Sequence, residues 1–188
     1  MPNKELLEAI TSSDFLNGCS FDSSSVIRKA YSAGAYLSDN NNNLLLLYRI
    51  GSKAIKDSYI GTAGGHFENE ELNNARACIL RELNEETNLS VDDIVDLKLR
   101  YVTLRHKKDE IRQNYYFFAK LVNKNKVITS NEGNLKWFKF DEILKLDMPH
   151  TAKYMIRHYI DEGRFNEKLY GGIAVKDGVS FIELENFE

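Results

Sequence analysis

The stretch that most constrains this chain is Gly64–Leu89, GGHFENEELNNARACILRELNEETNL. Paired glycines lead into a segment with the spacing of one long amphipathic helix, predicted over about Leu72 to Thr87, and Glu82, Glu85 and Glu86 crowd its last turns. A helix C-terminus disfavours acids, because the backbone dipole presents negative charge there. Glu82 and Glu86 are also an i,i+4 like-charge pair, which costs roughly 0.2–0.5 kcal/mol. At about 100° per residue the acids span roughly a quarter to a third of the helix circumference. They border an apolar edge of Leu72, Ile79 and Leu83, with Ala75 small enough to sit beneath them. A solvated face accounts for Glu85, which Arg81 reaches at i,i+4. It does not account for three acids at the unfavourable end.

A hard divalent cation resolves the conflict. Mg²⁺ or Mn²⁺ prefers carboxylate, carbonyl and water oxygens, and its charge outweighs the repulsion among the ligands. Gly64 and Gly65 let backbone carbonyls and a ligand come close. The acids therefore read as a metal site.

Strand signals surround this helix. VIRKAYSAGAYL is predicted as a strand, DNNNN as a turn, and LLLLYR (Leu44–Arg49) as a strand buried on both faces. DSYIGTAGG carries one short strand into the glycines. DLKLRYVTLR and EIRQNYYFFAKLV read as a hairpin of long strands, and NLKWFKF as another strand. FDEILKL is a short helix, TAKYMIRHYIDEG an amphipathic helix stopped by Gly163, and KLYGGIAVKDGVSFIEL a hairpin around Asp177-Gly178. The pattern predicts an α/β fold, a sandwich of helices on a mixed β-sheet. Residues 1–25, with a short helix from Pro2 to Ile10, read as an N-terminal extension. Residues 26–147 form the main domain, and 148–188 a C-terminal helix and hairpin packed on it.

Charge and composition exclude several roles. A net charge of −3 gives no electrostatic footprint for a nucleic-acid polymer. No apolar run approaches membrane-spanning length. Cys19 and Cys78 form neither a CxxC nor a zinc pattern, and two isolated cysteines suit a reduced cytoplasm, the expected location.

The glycine–acid segment resembles the signature of the Nudix hydrolases: Gly, five residues, Glu, seven residues, then Arg-Glu-aliphatic-any-Glu-Glu-any-Gly-aliphatic. RELNEETNL matches its second half at Arg81, Glu82, Leu83, Glu85, Glu86 and Leu89, while Gly64, Gly65 and Glu68 match the first. Weaker similarity runs from about Arg28 to Asp147. The resemblance implies a Nudix-type α/β/α sandwich with the signature loop-helix-loop, and Mg²⁺ or Mn²⁺. It also implies hydrolysis of a nucleoside diphosphate linked to another group.

Two departures stand out. Gly65 to Arg81 is two residues longer than the pattern, so the Glu that orients Arg81 in the family is Glu70 or Glu71, with Glu71 preferred. The extra length is expected to add helix at the N-terminus. Asn88 stands where the family has Gly, and Asn is the non-Gly residue best suited to a left-handed helix end.

By resemblance, Glu82, Glu85 and Glu86 with the Gly64 carbonyl hold the metal, and Glu85, Glu86 and Arg81 belong to the catalytic set. Glu132, in SNEGNLKW, matches a loop Glu that serves as base or extra ligand in some relatives; a solvated turn acid is the equal alternative. Arg49, Arg105 and Arg112 are candidates for phosphate contact, because Arg matches phosphate geometry bidentately; surface pairing is the competing role. His66 and Phe67 are candidates for substrate contact beside the glycines, whereas Tyr101, Tyr116 and Phe118 fit a core better. Cys78 reads as packing.

The leading expectation is a MutT-type hydrolase acting on a nucleoside triphosphate as small-molecule substrate, including oxidised ones such as 8-oxo-dGTP. An ADP-ribose, nucleotide-sugar or dinucleotide pyrophosphatase is the second reading, and a non-catalytic nucleotide-binding regulator the third. The C-terminal segment leaves two uses open, cover for a sheet edge or contact in a homodimer.

Overall fold

The computed structural model describes residues 28–41, 43–49, 57–107, 110–123, 126 and 128–185. The expected N-terminal extension and Cys19 lie outside them. The strands are β1 (Arg28–Ser38), β2 (Leu44–Arg49), β3 (Ser58–Ile60), β4 (Ala63–His66), β5 (Ile94–Lys107), β6 (Glu110–Leu121), β7 (Gly133–Phe138), β8 (Leu169–Val175) and β9 (Gly178–Leu184). The helices are α1 (Ala75–Thr87), α2 (Phe140–Ile143) and α3 (His150–Asp161). Among the described residues the sheet runs β3-β2-β1-β6-β5-β8-β9, with β4 also pairing β1 and β7 also pairing β2. The β1–β6 and β5–β8 pairs are parallel and the rest antiparallel, so the sheet is mixed.

A helix covers each face. Cys78, Ile79 and Leu83 of α1 pack with Ala33, Ala35, Leu37, Phe117 and Ala119. Met155, Ile156 and Ile160 of α3 pack with Tyr36, Leu46, Tyr101, Tyr116 and Phe118 on the other face. Strand alternation explains the division, since successive side chains point to opposite faces. Leu44 to Leu47 are all buried, as a strand enclosed on both sides requires, and each such side chain contributes about 1.5–3 kcal/mol by leaving water.

DSYIGTAGG forms two strands, not the one expected. The buried Thr62 hydroxyl accepts from Leu37 N–H at 3.0 Å and donates to the Leu45 carbonyl at 2.6 Å. It therefore occupies the fork where β1 leaves β2 and turns to β4. The chain crosses at Gly61, where a Cβ would lie 2.6 Å from the Ala35 carbonyl oxygen. β3 consequently stays on β2 while β4 pairs Ala63, Gly64, Gly65 and His66 with β1.

The helix of the glycine–acid segment also starts later than expected. Asn69–Glu71 form a separate 3₁₀ turn, Asn73 has φ 73°, and the Asn74 side chain caps α1 by accepting from Ala77 N–H. A left-handed residue cannot continue an α-helix, so the two extra residues make a turn instead of more helix. Leu72 is 49% exposed and is not part of the apolar edge.

At the C-terminal end, the β8–β9 hairpin joins the sheet through β8 instead of only covering it. Tyr101 Oη lies 2.9 Å from His158 Nδ1, tying α3 to β5. The Arg100 guanidinium donates to the carbonyls of Gly163 and Lys168 at 2.9 Å each, fixing the link from α3 to β8.

Candidate active site

The site is built where β4 meets α1. Its two glycines are there for different reasons. A Cβ on Gly64 would lie 2.5 Å from the Ala33 carbonyl oxygen and 2.9 Å from Gly34 Cα, so β1 and β4 approach closely there. A Cβ on Gly65 would overlap the Glu82 carboxylate, which fills the space a side chain would take. One turn further along α1, Glu86 Oε2 accepts from Gly64 N–H at 3.1 Å. Asn88 ends the helix at φ 55°, ψ 23°, in the left-handed region.

Arg81 organises the acids. It grips Glu71 with Nε on Oε1 at 2.8 Å and Nη2 on Oε2 at 2.9 Å. Nη1 donates to Glu82 Oε1 and Glu85 Oε2 at 2.9 Å each, and Nη2 also reaches the His66 carbonyl at 3.1 Å. Of the three first-half acids, Glu71 is the one on Arg81. It also caps the 3₁₀ turn, its carboxylate accepting from Glu68 N–H at 2.9 Å.

Electrostatics divide these carboxylates. The bonds from Arg81 hold Glu71 at about 2, well below the usual carboxylate range. Burial pushes Glu82 up in spite of Arg81. Burial also pushes Glu86 up to about 7, with the charges of Glu82 and Glu132 adding to the effect and the Gly64 N–H and Arg49 opposing it. A thiol also lies beneath the site. Cys78 is wholly buried, donates to the His66 carbonyl, and is pushed up to about 12 by burial, so it packs and does not react.

The tertiary fold delivers further groups to Glu86. Arg49 pairs across β2–β7 with Gly133, and its guanidinium forms an ion pair with Glu132. Asn131 Nδ2 reaches the Glu85 carbonyl at 3.4 Å, laying this turn over the end of α1. The structure thus gathers Gly64, Arg81, Glu82, Glu86, Glu132 and Arg49, with Glu85 on the outer side of Arg81. Sequence reasoning missed Asn131; its contact spans 46 positions and leaves no local signal.

Other candidates stand elsewhere. Arg105 and Arg112 face each other across β5–β6, on the α3 face of the sheet, and Arg112 pairs with Glu110. They do not join the α1 acids. The Phe67 ring is taken up by Tyr31 and Tyr115, with centroids 6.0 Å and 5.3 Å away. The His66 carbonyl serves Arg81, while its exposed side chain lies on the α3 face through pairing with Ser32. Tyr101, Tyr116 and Phe118 are buried in the core.

Among the described residues, no three His, Cys, Asp or Glu side chains gather into a metal-binding group. Arg81 draws Glu85 away, and it supplies positive charge to Glu71, Glu82 and Glu85. The donor set is nevertheless the right one for a hard cation. Glu82 and Glu86 are carboxylates raised by burial, next to Glu132 and the Gly64 backbone. Such groups ionise at a cost that a divalent ion relieves.

Comparison with known proteins identifies the family and the fold. Residues 28–159 match the NUDIX domain family. No curated protein matches the chain. Among solved structures, a MutT protein from Bacillus halodurans aligns at 20% identity with a TM-score of 0.58, covering 82% of this chain and 97% of that one. An Ap4A hydrolase from C. elegans aligns at 19% identity and TM-score 0.59, over 73% of this chain and 99% of that one. A MutT protein from Methanosarcina mazei Go1 gives 16% identity and TM-score 0.60, over 73% and 96%. At these identities the likeness to solved structures is one of fold, a mixed sheet between helices. The family assignment rests on the match over residues 28–159: this chain belongs to the Nudix family and is a Nudix pyrophosphohydrolase.

Proposed function

We propose that this enzyme uses Mg²⁺ or Mn²⁺ to split a nucleoside or deoxynucleoside triphosphate, oxidised purines such as 8-oxo-dGTP included, into monophosphate and pyrophosphate. The observation that carries the reading is Glu86 on the Gly64 N–H, a carboxylate raised to about 7 beside Glu82 and Glu132. Glu82, Glu86, the Gly64 carbonyl and Glu85, once it leaves Arg81, would hold the ion. A bound divalent ion would neutralise phosphate charge and acidify water. Arg81, fixed by Glu71, keeps the acids in register while they are without the ion. The Arg49–Glu132 ion pair supports a role in which Arg49 would pair a phosphate oxygen in exchange for Glu132, and Glu132, released, would accept the proton of the attacking water. The cytoplasm, with free nucleotides as the only partners required, is the setting this reading assigns.

The short connection from Asn88 to Ile94 adds no insertion beside α1 to house a second nucleoside or sugar, which favours a triphosphate. The competing reading is an ADP-ribose, nucleotide-sugar or dinucleotide pyrophosphatase; the fold of an Ap4A hydrolase fits this chain about as well as that of a MutT protein. A panel of 8-oxo-dGTP, ordinary triphosphates, ADP-ribose and Ap4A at equal Mg²⁺, with products resolved, separates the two. Monophosphate and pyrophosphate as the efficient products support the proposal. A clear preference for ADP-ribose or Ap4A overturns the substrate choice, and no turnover at all points to a binding protein.

A further inference from the structure

The sheet register lays one polar row across the α3 face. His66 of β4 pairs Ser32 of β1, Ser32 pairs Asn114 of β6, and Asn114 pairs Thr103 of β5. Directly opposed residues point to the same face. That face is the one of Tyr36, Tyr116 and Tyr101, which pack with α3, while the neighbouring Ala33 and Tyr115 pack with α1. The row is exposed at His66, half-buried at Ser32 and Asn114, and closed at Thr103, which is 0% exposed. On one side lies Gly34, where an added Cβ would meet only Tyr116 Cδ1 at 3.8 Å and the Ala63 carbonyl at 4.0 Å, leaving a methyl-sized shelf. On the other side lie Arg105 and Arg112.

The row begins on the catalytic strand. Gly34 pairs Gly64, so the shelf lies beside the glycine whose N–H holds Glu86, on the face of the sheet opposite α1. From β4 to β6 is two strand spacings, about 10 Å, a span that one nucleoside monophosphate bridges from phosphate to base edge.

The chemistry of the row is specific. Ser32 Oγ donates to Asn114 Oδ1 at 2.5 Å. This turns the amide oxygen towards Ser32, and among the described residues the amide nitrogen has no hydrogen-bond partner. The half-buried edge thus presents N–H donors. A base carbonyl satisfies them, whereas an exocyclic amino group leaves donor against donor. Guanine and hypoxanthine offer a carbonyl at that edge, as do thymine and uracil; adenine and cytosine offer an amino group.

We infer that Asn114, oriented by Ser32, is a specificity-determining residue that selects nucleotides with a keto base over those with an amino base, the base lying over Gly34. This rests on the reading of the chain as a nucleotide hydrolase. The acids and Arg81 act on the phosphates, and the row reads the other end.

The test measures kcat/KM for dGTP, dITP, dTTP, dATP and dCTP in Mg²⁺ with the native enzyme, Asn114→Asp and Ser32→Ala. A single hydrogen bond gained or opposed predicts a keto preference of roughly tenfold. Asn114→Asp, which replaces donors with an acceptor, should reverse the order of dGTP and dATP. Ser32→Ala, which frees the amide to turn, should bring the ratio towards one. A native preference for dATP, or a ratio that Asn114→Asp leaves unmoved, overturns the inference. Should no triphosphate be hydrolysed, the proposed function fails, and the base reading is decided separately by NMR. Titration with dGMP should shift the Asn114 side-chain amide resonances more than titration with dAMP, and equal or absent shifts would overturn it.

Discussion

Arg81 and Glu71 are joined by two parallel hydrogen bonds, 2.8 Å and 2.9 Å long, across a left-handed residue and the start of a new helix. The pair fixes the 3₁₀ turn against α1. Its energy depends on the Glu71 charge. Because Glu71 sits at about 2 in the fold against 4.5 ordinarily, its contribution is full above about pH 4.5 and is lost as pH falls through 2. Glu71→Gln should lower stability at pH 7 by about 2 kcal/mol, with the deficit shrinking towards pH 2. Chemical denaturation of both proteins across that range checks it; a deficit independent of pH would contradict the assignment.

Glu86 has the opposite sign. Its carboxyl is raised to about 7 in the metal-free fold, so it favours folding most below its ordinary 4.5 and opposes it progressively as pH rises towards 7. Glu86→Gln should make the metal-free protein as stable or more stable at pH 8, while Mg²⁺-dependent turnover falls by a factor of 10² or more. Thermal melts in chelator and a turnover assay give the two readouts. Full activity of the variant would remove Glu86 from the metal site.

Gly65 has no room for a side chain because Glu82 is there. Gly65→Ala should displace the Glu82 carboxylate and lower kcat by an order of magnitude or more, roughly 1.4 kcal/mol in the barrier. Its effect on KM should be smaller, since the variant leaves Arg49 in place. Steady-state kinetics over a range of Mg²⁺ should show a higher ion requirement.

Asn88 ends α1 at φ 55°. Asn88→Gly should be neutral or slightly stabilising, since glycine meets no steric penalty there, and Asn88→Val should cost about 1–2 kcal/mol. Thermal denaturation ranks the three proteins directly.

What the sequence determined by itself is local. The period of α1, the acids along one of its faces, the left-handed Asn88 and the strand runs on either side are written in contiguous residues, where i,i+4 spacing and turn chemistry act without help from the rest of the chain. Even there, Asn73 ended the predicted helix early, because a left-handed residue inside a helical pattern is decided by what its neighbours pack against. The tertiary structure alone decided which side chains meet. Arg49 and Glu132 come together because β2 and β7 pair in one register, and Asn131 lies over α1 for the same reason. Arg105 stands with Tyr101 on the α3 face because β5 gains one residue against β6 between Leu99 and Tyr101. Leu99 therefore packs with α1 and Tyr101 with α3, although the two are an even number of residues apart. A strand has a period of two, so each inserted residue exchanges the faces of everything beyond it. Alternation read along the chain cannot count those insertions; only the partner strand can.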